Sequence, residues 1–342
     1  MKIKSVLLTL LLAFFTHQAA AEPLPKAIRF GGFGQGFGQP YGQAVLAIAQ
    51  DKGFIADAFK GTPVKITFEY FTGVGPAINE AIASGQLDFA QYGALPNVIG
   101  KANRLPTRIV ANYGSQTVFG VARKGSAIRS FKDLKGRRVG ISKGTVLHWA
   151  FLKTLTDNGL SEADVRVVDL KGADQIAALA AGSIDAAVYT HALLKLRDEN
   201  IADVFYASKN DPAAATAFGA ITVTQQFEQQ YPEATQKVVA ALVRAAHWLS
   251  NDGNREEALR IWAKSGVPYE LIKEDFEGSS LRELFNPRVD PYFVNRYRDV
   301  IAFTKAQKLI RNDIDLDQWF APQYVERAIK EQGLDALWPL RQ

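Results

Sequence analysis

The chain has 342 residues, 40 of them basic and 35 acidic, and no cysteine. Without cysteine there is no disulfide framework, thiol catalysis, cysteine-ligated zinc or lipid-modified N-terminal cysteine. The basic residues are dispersed rather than clustered with aromatics as at a nucleic-acid site, and the length favours two lobes over one core.

The first residues, MKIKSVLLTLLLAFFTHQAAAEPLP, place Lys2 and Lys4 before an apolar run from Val6 to Phe15 and small residues ending at Ala21. This is the pattern of a signal peptide occupying 1–21, with cleavage expected after Ala21; the run is too short for a hydrocarbon layer of about 30 Å. Loss of Lys2 and Lys4 leaves 38 basic against 35 acidic residues, a net charge of +3. That mild excess is compatible with an anionic ligand and decides nothing alone. An exported chain with no tether is kept near its cell by an outer membrane, so the expected compartment is the periplasm.

Next come KAIRFGGFG, a strand breaking into glycines, and YGQAVLAIAQDKGF, a helix with a glycine stop. VKITFEYFTG alternates as a strand, GPAINEAIASGQ is helical to Gly85, and LDFAQYG is a third strand. After the linking run VFGVARKGSAIRSFKDLKGRRVG the pattern repeats as RRVGISKGT, LHWAFLKTLTDNGL, DVRVVDLKG, DQIAALAAGS and IDAAVYTHA. Two β-α-β-α-β units predict two α/β lobes, each with a parallel sheet covered by helices. FGAITVT (218–224) reads as part of a second crossing between lobes, and the chain beyond 225 is mainly helical. The expected division is 22–118 with about 225–342 as the first lobe, and 119–224 as the second with hinge crossings at both ends. Phe293, Tyr292, Tyr297, Phe303, Trp248 and Trp262 are expected in the core.

The clearest internal likeness is between ASGQLDFAQYGALP (83–96) and AAGSIDAAVYTHAL (180–193). Gly85 and Gly182 are expected to end helices in the left-handed conformation, and Asp88 and Asp185 to accept backbone N–H groups at strand entry. Ligands of open parallel sheets bind beyond the carboxyl ends of the strands. Those ends carry Tyr92, Gly93 and Ala94 in one unit and Tyr189 and His191 in the other. The glycine loop with Gln35, Gly36 and Phe37 reads as a nest of backbone N–H groups suited to an oxyanion, and SKGT with Gly144 and Thr145 as its counterpart. Phe33 and Phe37 would cover an organic tail. Ser115 is expected in the same cleft, and His148 lies three residues beyond Thr145 near the same helix face. Lys143 reads as solvated, and His247 as an ordinary helix residue. The glycine loop lacks the spacing and following acid of a dinucleotide site, and no GxxxxGK[ST], G-x-S-x-G or H-E-x-x-H occurs. No cofactor and no metal are expected.

The runs SGQLDFAQYGALP, FKDLKGRRVGISKGT with His148, AAGSIDAAVYTHA and IDLDQWFAPQYVERAI together resemble the periplasmic solute-binding proteins of ABC importers, in the group that receives sulfonates, sulfate esters, taurine and nitrate. The resemblance implies a two-lobed, type II-like binding-protein fold, a small anionic ligand, delivery to a membrane permease, and a monomer. Two departures stand out. Gln91-Tyr92-Gly93-Ala94 replaces a stretch that often carries a small hydroxyl residue and an acid. Tyr189-Thr190-His191 replaces a common Trp-Asp-Pro. The missing acid argues against an amine-bearing ligand such as taurine and for an alkyl sulfonate or sulfate ester. Taurine, nitrate and a thiamin-precursor-like ligand remain alternatives, as does a secreted enzyme of the same fold. A sensor ectodomain would need a membrane span.

Overall fold

The two similar phrases fold alike and set up the two halves of the molecule. The computed structural model describes residues 24–342 apart from Gly36, Gly38, Pro40 and Pro212, so the signal-peptide segment lies outside the described residues. The first sheet contains β1 (Ala27–Phe33), β2 (Lys65–Phe71), β3 (Phe89–Gly93), β4 (Thr107–Gln116) and, from much later in the chain, β10 (Ala217–Thr224). The second contains β5 (Phe119–Arg123), β6 (Arg138–Ile141), β7 (Arg166–Asp169), β8 (Ala186–Tyr189) and β9 (Ala202–Ala207). Their orders are β2-β1-β3-β10-β4 and β7-β6-β8-β5-β9.

Within each sheet the first three strands of the repeat unit run parallel, and the strand beside the third is antiparallel. That antiparallel strand has just arrived from the other lobe in both cases. β5 follows β4 through residues 117–118, and β10 follows β9 through residues 208–216. The run 218–224, expected as part of the second lobe's return crossing, is therefore a strand of the first sheet, hydrogen-bonded between β3 and β4.

The repeated Gly–Asp phrase works as a clamp. Gly85 and Gly182 end their helices at φ 70° and 75°, a conformation that costs glycine little. Asp88 accepts from the backbone N–H of Arg29 at 2.8 Å and pairs with its guanidinium at 2.7 Å. Asp185 does the same with Arg138, at 2.8 and 2.7 Å. Each aspartate thus ties the entry of the unit's third strand to the entry of its first. The Arg138 guanidinium and backbone N–H hold the Asp185 carboxyl below the usual range despite its partial desolvation. The arginines were not singled out from the sequence.

The helical C-terminal part packs on the first lobe: Pro232–Leu249 lies against Ala44–Asp51 and Phe54–Ala58, and Pro322–Glu331 against Pro232–Leu249 and β4. The helix Tyr269–Phe276 instead reaches the short turn His191–Leu193 of the second lobe. Trp262, Phe293 and Tyr297 are core residues, and Trp248 and Phe303 are partly buried. Tyr292 is not core: it is 41% exposed, with the Arg341 guanidinium 4.7 Å above its ring. No helix among the described residues is long and apolar enough to cross a membrane.

Replacing Asp185 by Asn should remove the charge-assisted bonds to Arg138 and destabilise the fold by about 1–2 kcal/mol, discounted for partial exposure. The expected result in calorimetric melting is a lower midpoint with unchanged ligand affinity, because the clamp sits at strand entry, away from the ligand-facing strand ends.

Candidate functional site

Between the lobes, at the carboxyl ends of the parallel strands, lies a cavity of about 40 Å³. One water needs about 10–15 Å³ of such space, so the cavity suits a small head group. The first lobe supplies Phe33, Gly34 and Gln35 after β1, Val74 after β2, Gly93 and Pro96 after β3, and Tyr113, Gln116 and Ala217 near the crossings. The second supplies Ser142, Thr145, Val146 and Leu147 after β6, with Tyr189 and Thr190 after β8.

Two helices of different lobes begin here, Ala94–Ala102 after Gly93 and Val146–Asp157 after Thr145. Their first N–H groups have no intrahelical acceptor, and the aligned peptide dipoles favour a negative charge beside them. Asn97 Nδ2 donates to the carbonyls of Tyr92 and Gly93, each at 2.9 Å, which fixes the start of the first helix. The lobes touch where Gly93 meets Val146: a Cβ at Gly93 would lie 2.7 Å from Val146 Cβ. Trp149 packs edge-on against Phe218 of β10, with ring centroids 5.6 Å apart. Val74, on the wall, holds φ 53°, a strained value for a β-branched residue.

No Asp, Glu, Lys, Arg or His is among the lining residues. The polar wall consists of amides and hydroxyls. Burial pushes the Tyr189 hydroxyl up to about 12, and that of Tyr113 upward as well, so both stay protonated donors at neutral pH. A cation stands just behind the wall. Arg296 lies 3.6 Å from the Phe218 ring centroid and donates to Thr216 Oγ1 at 2.7 Å, with no carboxylate within 4 Å among the described residues.

Of the residues expected at the site, Gln35, Gly93, Thr145 and Tyr189 line the cavity. Gly36 lies outside the described residues. The others are elsewhere. Tyr92 is fully buried with Ile78, Ile82 and Leu87 beneath the helix Val74–Ala83. Ala94 is buried in the first turn of its helix. Phe37 packs toward Gly266. Ser115 faces away because Tyr113 is the extra residue of a bulge, unpaired while Gly114 and Asn112 face Gly219 and Ala220. That bulge breaks the alternation of β4 and brings Tyr113 and Gln116 to the cavity instead. Gly144 donates its N–H to His148 Nδ1 at 3.3 Å, so both serve the loop rather than the wall. His191 is fully buried between Asp275 and Gln43. Thr145 spends its hydroxyl proton on Ser142 O at 2.8 Å and has backbone N–H to offer, not O–H.

Residues 42–256 match the family described as NMT1/THI5 like. A solved structure from Methylobacillus flagellatus KT, described as a periplasmic sulfonate-binding protein of a sulfonate ABC transporter, has TM-score 0.80 and 27% identity, covering 94% of this chain and 98% of that one. A Bacillus subtilis (strain 168) chain named as an aliphatic sulfonates-binding protein is 23% identical over 84% of this chain and 86% of its own length. A 2'-hydroxybiphenyl-2-sulfinate desulfinase of Rhodococcus erythropolis is 24% identical over 69% of this chain and 79% of its own. Binding proteins and an enzyme thus share the likeness.

Two outcomes are expected from this geometry. Gly93→Val should weaken ligand binding at least tenfold in calorimetry while leaving the melting midpoint nearly unchanged, since the added side chain obstructs Val146 of the other lobe and burdens neither lobe alone. For His148, burial lowers the pKa, and the nearby Glu162 carboxylate offsets this only in part. The unfolded state then takes up the proton first as pH falls. Stability contributed by neutral His148 is full above the unfolded value of about 6.5 and is lost as pH falls from there toward the folded value. Melting midpoints between pH 7.5 and 5 should fall less for His148→Asn than for the parent.

Proposed function

This chain belongs to the NMT1/THI5-like family, and we propose that it is the periplasmic receptor of an ABC importer, capturing an alkyl sulfonate or sulfate ester by closure of its lobes. The observation that carries this reading is the interlobe cavity, where two helix starts and several uncharged donors converge without a carboxylate. A sulfonate offers three oxygens to N–H and O–H groups. A hydrogen bond to a charged partner is worth about 1.5–3 kcal/mol, so a few neutral donors suffice without an ion pair. Val74, Pro96, Leu147 and Phe33 offer the organic tail hydrocarbon contact.

Capture follows from differential contact. In the open form each lobe offers half of the donors; the ligand gains the other half on closure and so favours the closed state. The closed form would then dock on a membrane permease. A wall of amides, hydroxyls and hydrocarbon gives a bound anion contacts but no imidazole, thiol or carboxylate to act as a general base, which supports a receptor over the desulfinase-like alternative. Export to the periplasm accords with the signal-like N-terminus and with the periplasmic relative.

Isothermal calorimetry with methanesulfonate, ethanesulfonate, a short alkyl sulfate, taurine and nitrate tests the reading. Short sulfonates or sulfate esters should bind, with taurine at least tenfold weaker because its ammonium finds no carboxylate on the wall. Binding should also change tryptophan fluorescence through Trp149, and Trp149→Phe should abolish that change. Tight binding of taurine or nitrate with no response to sulfonates or sulfate esters would overturn the ligand assignment. Turnover of a sulfinate would overturn the receptor.

A further inference from the structure

We infer that a buried chain from Asp275 through His191 and Gln43 orients the side-chain amide of Gln35, so that the cavity meets an anion with N–H rather than with a carbonyl; this deepens the receptor reading and rests on it. The chain can be followed atom by atom. His191 Nδ1 lies 2.8 Å from Asp275 Oδ2, and a carboxylate only accepts, so Nδ1 carries the proton. In neutral imidazole Nε2 is then an acceptor. It faces Gln43 Nε2 at 3.4 Å.

The second N–H of Gln43 goes to Ser265 Oγ at 3.2 Å, and that hydroxyl donates to Trp262 O at 2.6 Å. With both donors committed, Gln43 must turn Oε1 the other way. There it accepts from Gln35 Nε2 at 3.1 Å and Gln116 Nε2 at 3.3 Å. Every side-chain hydrogen-bonding position of Gln43 is filled, and a flipped amide would set its carbonyl against the His191 lone pair. His191 is fully buried and Gln43 1% exposed, so no solvent competes for these bonds.

The consequence falls on Gln35. Its amide nitrogen is held by Gln43, and its Oε1 is shut away from solvent with no partner among the described residues. Gln35 lines the cavity, and the amide atom left to face a ligand is Nε2, with one hydrogen still free. The unpaired carbonyl is an unfavourable arrangement that the relay enforces. His191 and Asp275 are positioning residues here: they touch no ligand and act through Gln43. They also join the second lobe, the helix Tyr269–Phe276 and the glycine loop of the first lobe, so the amide is set when the lobes are together.

The test uses the purified protein with ethanesulfonate as the probe. Nitrogen NMR of His191 should show a proton on Nδ1 and a bare Nε2. Asp275→Asn and His191→Phe should each weaken ethanesulfonate binding about tenfold to a hundredfold. His191→Gln, which can donate to Asp275 and accept from Gln43, should return affinity to within about threefold of the parent. A merely structural role would lower the melting midpoint and the affinity of His191→Phe and His191→Gln alike. A proton on Nε2, parental affinity in both Asp275→Asn and His191→Phe, or no recovery in His191→Gln would each overturn the relay. Should a variant fail to fold, the tautomer in the parent still decides. If the parent bound no sulfonate at all, the receptor reading would fall while the tautomer measurement still judged the relay.

Discussion

Contact between the lobes at Gly93 is the constraint on which the site depends. Val146 of the second lobe occupies the space where any side chain at Gly93 would stand. Both residues sit at helix starts, so the approach brings two sets of unpaired N–H groups toward one small volume. With the lobes apart, each set would face water and bind a weak anion poorly. Brought together in a cavity of about 40 Å³, they act on one head group in a poorly solvated space.

Around that contact the molecule is a duplicated frame with unequal contents. The Asp88–Arg29 and Asp185–Arg138 clamps hold the two sheets in the same internal arrangement. Two cross-lobe strands complete the frame, since β5 and β10 each lie antiparallel beside the third strand of a repeat unit. The third strands then end differently. Tyr189 reaches the cavity, whereas its counterpart Tyr92 is sealed beneath the helix Val74–Ala83. Equivalent positions in a repeat share backbone but not neighbours, and the neighbours decide which side chain meets a ligand.

Charge is handled with similar economy. The lining is uncharged, and Arg296, a cation without a carboxylate partner among the described residues, stands behind Phe218. A lining carboxylate would repel an anion, while a lining cation would have to be desolvated on closure. Oriented amides, hydroxyls and helix starts avoid both costs, provided something keeps the amides pointing the right way. The saturated hydrogen bonding of Gln43 meets that requirement.

Sequence periodicity alone determined the α/β character, the two β-α-β-α-β units and the left-handed glycines, because these depend on backbone rules and near neighbours. The repeated phrase also marked the aspartates as acceptors at strand entry, but their arginine partners, 59 and 47 residues away, were set by the fold. It also located the loops that surround the cavity, since strand ends in a parallel sheet are predictable from the order of elements. Which side chains in those loops face a ligand was decided only by tertiary structure. A bulge at Tyr113 exchanged Ser115 for Tyr113 and Gln116, a loop hydrogen bond drew His148 away, and Asp275, 84 residues from His191, took that imidazole into the core. The first is a local break in alternation, the second a side chain folding back on its own loop, and the third a partner remote in sequence; none leaves a periodic trace in the chain.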